Sequence, residues 1–220
     1  MILALFDLDG TILNGDSDKE WNTFLIEKGI VEREFYYAKN EEYFRQYKEG
    51  ILNIYEYQNF ALSLLKKYTL NELEPLRIEY LQDKIKPLVK PQALDLIAWH
   101  KKQNHTILIV TTTNRFVVEK IAEHLKMDDL IACDPEVVND RFTGNIVGTP
   151  SFREGKLLRV NQWINESGKK FSLKDSYYYG DSINDFFVME AVGNPIVIDG
   201  DEKILEIASK RNWSAKSLID

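Results

Sequence analysis

Short, unbroken apolar runs that end in polar loops recur along the chain. Ile2 to Phe6 runs into Asp7-Leu8-Asp9-Gly10-Thr11, and Ile107 to Val110 into Thr111-Thr112-Thr113-Asn114. Tyr177 to Tyr179 runs into Gly180-Asp181-Ser182, and Pro195 to Ile198 into Asp199-Gly200. Strands buried on both faces of a parallel sheet need runs of this kind. Between them apolar residues return at helical spacing: Leu94, Ile97 and Ala98; then Val118, Ile121, Ala122 and Leu125; then Leu157, Leu158 and Trp163. Strands alternating with helices predict an α/β fold with a parallel sheet. Ligands of such sheets bind beyond the carboxyl ends of the strands, so the polar clusters are expected to meet there.

The stretch 16–90 breaks this alternation and reads as helix throughout. Trp21, Phe24, Leu25 and Lys28 share one face, Tyr57, Phe60, Ala61, Leu64 and Leu65 another, and Leu73, Leu76 and Leu81 suggest a further helix. It carries 13 of the 26 aromatic residues, 8 of the 11 tyrosines among them, so it is expected to be an all-helical cap subdomain folded over the sheet's mouth. The core is then 1–15 and 91–220. For any single ring in the cap, packing is the commoner use than substrate contact. Glu136 to Val147, with Asn139-Asp140 in its middle, fits a small β-hairpin.

Composition narrows the class. With 220 residues, 44% hydrophobic and 29% charged, the chain can bury a sizeable core as one globular unit carrying an insert. A net charge of −7 argues against a general grip on nucleic acid. Cys133 is the single cysteine, so neither an internal disulfide nor a cysteine zinc site is expected. No apolar stretch approaches bilayer length, and the run at Met1 to Phe6 is too short for a secretory signal. The expectation is a cytoplasmic protein with no membrane partner; its oligomeric state is not legible.

Asp7 and Asp9 set two carboxylates two residues apart at a strand end. One can attack phosphorus while the other protonates the leaving oxygen and later deprotonates water. An EF-hand loop would need Gly and Glu where the chain has Ile12 and Asp18. Asp181 and Asp185, in Gly180-Asp181-Ser182-Ile183-Asn184-Asp185, offer oxygen ligands that suit Mg²⁺ better than Zn²⁺. His100, His105 and His124 lack ligand spacing and are expected to be surface or structural residues. Thr111 could offer its hydroxyl to a phosphoryl oxygen, while Thr113 or Asn114 could cap the helix that follows. Lys156 could neutralise charge on a phosphoryl group and on nearby carboxylates.

In chain order, Asp-x-Asp, Thr, Lys and Gly-Asp-x-x-x-Asp resemble the haloacid dehalogenase superfamily of phosphohydrolases over nearly the whole length. The insert between Asp9 and Thr111 is similar to the cap of the phosphoserine phosphatase-like branch. The stretches Leu5 to Thr11, Thr113-Asn114-Arg115-Phe116 and Glu154-Gly155-Lys156 are especially similar to a broadly distributed bacterial group within it. The resemblance implies a Rossmann-like core and a Mg²⁺-dependent phosphomonoesterase acting on a small phosphorylated metabolite. It implies Asp7 as nucleophile and Asp9 as general acid and base. Asp7, the backbone carbonyl of Asp9, and Asp181 would hold Mg²⁺, and Asp185 would support that site. Thr111, with Thr112 beside it, and Lys156 would hold the phosphoryl group; Thr111 is preferred to Thr113 because it directly follows the strand. Phosphoserine phosphatases carry Ser-Gly-Gly where this chain has Thr111-Thr112-Thr113-Asn114, which leaves phosphoserine itself open as substrate. A phosphotransferase on the same fold and a phospho-accepting signalling domain are the rival readings. Arg33, Arg45, Tyr43 and Tyr47 are unranked cap candidates for substrate contact.

Overall fold

The computed structural model describes residues 1–219, Lys48 by its backbone alone. Seven strands form one sheet: β1 (Leu3–Phe6), β2 (Thr106–Asn114), β3 (Asp129–Val138), β4 (Arg141–Val147), β5 (Tyr177–Gly180), β6 (Asn194–Ile198) and β7 (Ser214–Lys216), in the order β4-β3-β2-β1-β5-β6-β7. Every pair is parallel except β3 with β4. The pleat splits each apolar run between two cores. Ala4, Phe6, Ile107 and Ile109 face one cluster, while Leu3, Leu5, Leu108 and Val110 face the other. The first is covered by α5 (Pro91–Lys102) and α6 (Arg115–His124), and the second by α7 (Glu154–Glu166), α8 (Phe186–Ala191) and α9 (Glu202–Arg211). Leu94 and Leu158, expected on buried faces, are exposed; Ala93 and Val160 take those places.

The chain winds outward from β1 in one direction through β2 and in the other through β5. Phe6 is in register with Ile109 and with Tyr179, so the loops after β1, β2 and β5 emerge side by side. That switch point is where an open parallel sheet forms its ligand crevice.

Two strands depart from the sequence expectation. β2 does not end at Val110 but continues through Thr111–Asn114, with its register to β3 broken between Val110 and Asn114. The expected hairpin exists, but its first strand begins earlier, at Asp129, where buried Leu130 to Cys133 pair with β2. Asn139 and Asp140 both take positive φ, 51° and 62°, as the twist of a two-residue hairpin turn demands.

The insert between β1 and β2 is helical: α1 (Ser17–Glu27), α2 (Arg33–Glu49), α3 (Ile54–Ser63) and α4 (Leu70–Tyr80), the last running into a wider π turn, Leu81–Ile85. Asp16 caps α1 by accepting from Lys19 N, and Thr69 with Glu72 forms a capping box on α4. Trp21, Phe24, Leu73 and Tyr80 join the same apolar cluster as Phe116, Val117 and Ile121 of α6. The β3–β4 hairpin clasps the insert from the side: Asn59 Nδ2 donates to Gly144 O at 3.0 Å and Leu70 N to Asp140 O at 2.9 Å. Among the described residues no helix is long and apolar enough to cross a membrane.

Candidate active site

Asp7 stands one residue beyond β1, its amide tied to Tyr179 O at 2.8 Å. Lys156, near the start of α7 and 2% exposed, reaches across the sheet end and donates to Asp7 Oδ1 at 2.8 Å and Asp185 Oδ1 at 2.7 Å. Asp185 Oδ1 also accepts from Tyr178 OH at 2.6 Å, and its Oδ2 accepts from the amides of Asp181 and Ser182, each at 3.2 Å. Asp185 is thus committed to holding the Lys156 ammonium and the Gly180-Asp181-Ser182 turn. Burial would drive Lys156 toward neutrality, yet the Asp185 and Asp7 carboxylates overcome this and hold it charged, well above the usual lysine range.

Asp9 turns the other way. Its Oδ1 accepts from Ser17 N at the start of α1 at 2.6 Å, and its Oδ2 from Thr113 Oγ1 at 3.0 Å. Burial, then the charges of Asp16 and Asp7, push its pKa up to about 7 despite those hydrogen bonds. A carboxyl that titrates near neutrality can both give and take a proton at working pH. Asp7 is raised to about 6 by burial, with Asp185 adding to the shift and Lys156 opposing it.

Gly10 explains how the β1 loop comes so close to Asp181. Its φ is +75°, and a Cβ there would lie 2.3 Å from Asp181 Oδ2. The Gly10 carbonyl accepts from Lys90 Nζ, a buried ammonium that also pairs with Asp199 at 2.7 Å. Lys90 ends the insert and was not legible as a site residue, because nothing in sequence spacing links it to Gly10.

Carboxylate oxygens of Asp7, Asp181 and Asp185 lie within 4.8 Å of one another. Three carboxyl groups crowd against the single Lys156 ammonium, so the cluster has more acidic groups than cations to balance them. Burial first, then Asp7 and Asp185, raise Asp181 well above the carboxylate range. An all-oxygen, electron-rich donor set of this kind fits a hard divalent cation. The Asp9 side chain is outside the group, engaged by Ser17 and Thr113, so only its carbonyl is left for a ligand role.

The structure brings Thr111 and Thr113 to the same strand end with different partners. Thr113 gives its hydroxyl proton to Asp9. Thr111 Oγ1 accepts from Thr113 N at 3.2 Å, which leaves its own proton to donate. Asn114 caps α6, accepting from Val117 N. The Thr112 carbonyl accepts from Gln58 Nε2 of α3 at 3.0 Å, a contact no motif announces. Of the cap candidates, Tyr47 feels Lys156, Asp7 and Asp181, whereas Arg45 pairs with Glu49 and Tyr43 packs on Tyr57 and Phe60. His100 is fully buried against Tyr179 and His105, a structural role.

The sequence model of haloacid dehalogenase-like hydrolases matches residues 4–190. A protein named histidinol-phosphatase, from Neisseria meningitidis serogroup C (strain 8013), is 34% identical over 213 residues, covering 96% of each chain. A crystal structure of a protein of unknown function from Bordetella pertussis Tohama I is 39% identical, with a TM-score of 0.91 over 99% of this chain and 98% of that one. A substrate-bound phosphoserine phosphatase complex shares the fold at 21% identity, with a TM-score of 0.68 over 93% and 89%.

Proposed function

We propose, from the premise that this chain belongs to the haloacid dehalogenase-like hydrolases and is a phosphatase, that it is a Mg²⁺-dependent phosphomonoesterase acting on a small phosphorylated metabolite through an aspartyl phosphate. The observation that carries the reading is the pairing of roles two residues apart. Asp7 is gripped by Lys156 and set among carboxylates, while Asp9 is turned away from them onto Ser17 and Thr113, its pKa pushed up to about 7 by burial and by the charges of Asp16 and Asp7.

In the first half-reaction an Asp7 oxygen bonds to phosphorus as the bond to the leaving oxygen breaks, and protonated Asp9 gives that oxygen its proton. In the second, ionised Asp9 takes a proton from water, the new hydroxyl bonds to phosphorus, and the Asp7–phosphorus bond breaks to free inorganic phosphate. Lys156, the Thr111 hydroxyl and the Thr112 backbone hold the phosphoryl oxygens. Mg²⁺ bound by Asp7, the Asp9 carbonyl and Asp181 would offset the repulsion between a carboxylate nucleophile and a phosphate dianion. Asp185 orders that site from behind. The helical insert acts as the cap that excludes bulk water and selects the substrate.

Phosphate release from a panel of small monoesters, histidinol phosphate and phosphoserine included, is the test, run with Mg²⁺, with EDTA and with Asp7→Asn. Mg²⁺-dependent release that disappears in Asp7→Asn is expected. Release that persists in EDTA, or in pure Asp7→Asn, would remove the metal or the nucleophile from the reading.

A further inference from the structure

The Lys90 ammonium is buried where the join between insert and core has no need of it. Lys90 is 4% exposed, and backbone alone already ties the end of the insert to its start: Lys90 N donates to Ile12 O at 3.0 Å and Asn14 N to Leu88 O at 2.8 Å, with Leu13 and Val89 bridged between them. Burying a charge merely to repeat that tie is costly. The side chain goes elsewhere, to the Gly10 carbonyl and to Asp199 Oδ2 at 2.7 Å.

Asp199 and Asp201 flank Gly200 in the loop after β6, and that loop reaches both halves of the crevice. Through Lys90, Asp199 holds Gly10, one residue beyond Asp9; directly, Asp201 N donates to Asp181 O at 2.9 Å. From the far side Asp199 Oδ1 accepts from Ser217 Oγ at 2.6 Å and from Leu218 N at 3.2 Å. Gly10 itself lies against Asp181, whose Oδ2 a Cβ on the glycine would strike. The contacts close into a ring that runs from Gly10 through Lys90, Asp199 and Asp201 to Asp181 and back.

The ring acts on the residue most able to turn, a glycine at φ +75°. No peptide among the described residues is cis, so the Asp9 carbonyl points opposite to the Gly10 N–H, which is bonded to Gly15 O at 3.0 Å. With its N–H held by Gly15 and its carbonyl by Lys90, neither peptide flanking Gly10 can turn over without breaking a hydrogen bond. The Asp9 carbonyl therefore keeps one direction.

We infer that Lys90, anchored by Asp199, is a positioning residue that fixes the Asp9 carbonyl relative to Asp181 and so tightens the binding of a divalent cation by this site. This rests on the metal-dependent reading above. Charge and position predict opposite signs. An ammonium near a cation site repels the cation, so by charge alone its removal tightens binding; by position its removal loosens binding.

Binding of Mn²⁺ alone separates the two, read without substrate from the paramagnetic resonance of the free ion, since Mn²⁺ shares the preference of Mg²⁺ for oxygen ligands. Lys90→Met loses charge and hydrogen bonds together and is expected to weaken binding about 10–100-fold, the usual cost of losing a group that orients a metal ligand. Lys90→Gln, equally neutral but still an N–H donor, should recover most of that loss. Ser217→Ala, at an exposed residue and without change of charge, should weaken binding about threefold, and it carries the test should Lys90→Met fail to fold. Binding by Lys90→Met that is unchanged, tighter or equal to that of Lys90→Gln would overturn the positioning role while leaving the metal site standing, as would unchanged binding by Ser217→Ala where Lys90→Met does not fold. No Mn²⁺ binding by the parent would count against the metal-dependent reading and the positioning role with it.

Discussion

Two clusters of buried charge lie on either side of Asp9, and they are finished differently. On the sheet side, Lys156 is bonded to Asp7 and Asp185, and Asp185 is bonded to Tyr178 and two amides. On the insert side, Asp18, Tyr36 and Gln58 leave polar atoms without partners. The first cluster is held by the protein's own groups and suits chemistry common to any ester. The second leaves buried polar atoms unmet by any described residue, so the two sides of Asp9 are satisfied to different degrees.

Lys156→Ala tests the contrast hardest. It strands Asp7 and Asp185 in a buried site, so a loss of about 3–5 kcal/mol is expected in chemical denaturation, together with loss of turnover. A variant as stable as the parent would mean that the sheet-side cluster is not held as described. Asp9→Asn should lower kcat by about 10²–10⁴-fold, since it removes proton transfer. Turnover near the parent value would return Asp9 to a structural role. Asp18→Asn should leave stability within about 1 kcal/mol of the parent or raise it, because burial, then Asp16 and Asp9, already disfavour the charged form of this carboxyl. A large loss would show that Asp18 is already partnered.

The smallest effect is in acid. Burial, and then His105, depress His100 to about 4 from a usual value near 6.5. Between these values the unfolded chain binds the proton and the folded chain does not, so stability falls as pH drops from about 6.5 toward 4. His100→Asn should flatten that limb of a Tm-against-pH curve; an unchanged slope would assign the loss elsewhere.

The sheet was legible because strands buried on both faces must be apolar without interruption, and β1, the start of β2, β5 and β6 are nearly so. The continuation of β2 was not, because Thr111 to Asn114 are polar residues still paired as strand at the crevice edge. β7, Ser214–Lys216, has no apolar run and is fully exposed, so it left no signal. At the site, Asp7, Asp9, Lys156, Asp181 and Asp185 could be read because strand ends fix where motif residues go. Ser17 acts through its backbone amide, and Lys90, Gln58 and Tyr36 act through packing of the insert. Neither leaves a mark in residue spacing.

The place of the insert also sets an order of assembly. β1 pairs with β2 from Leu3 to Thr106 and with β5 from Ala4 to Tyr177, so the strand that leads into Asp7 emerges from the ribosome long before either neighbour. Synthesis proceeds at about 5–20 residues per second, which leaves an apolar strand unpaired for several seconds while the helices that will cover it are made. The chain's aggregation hazard is therefore greatest early in its synthesis, and the helices of the insert are the first structure available to shelter that strand.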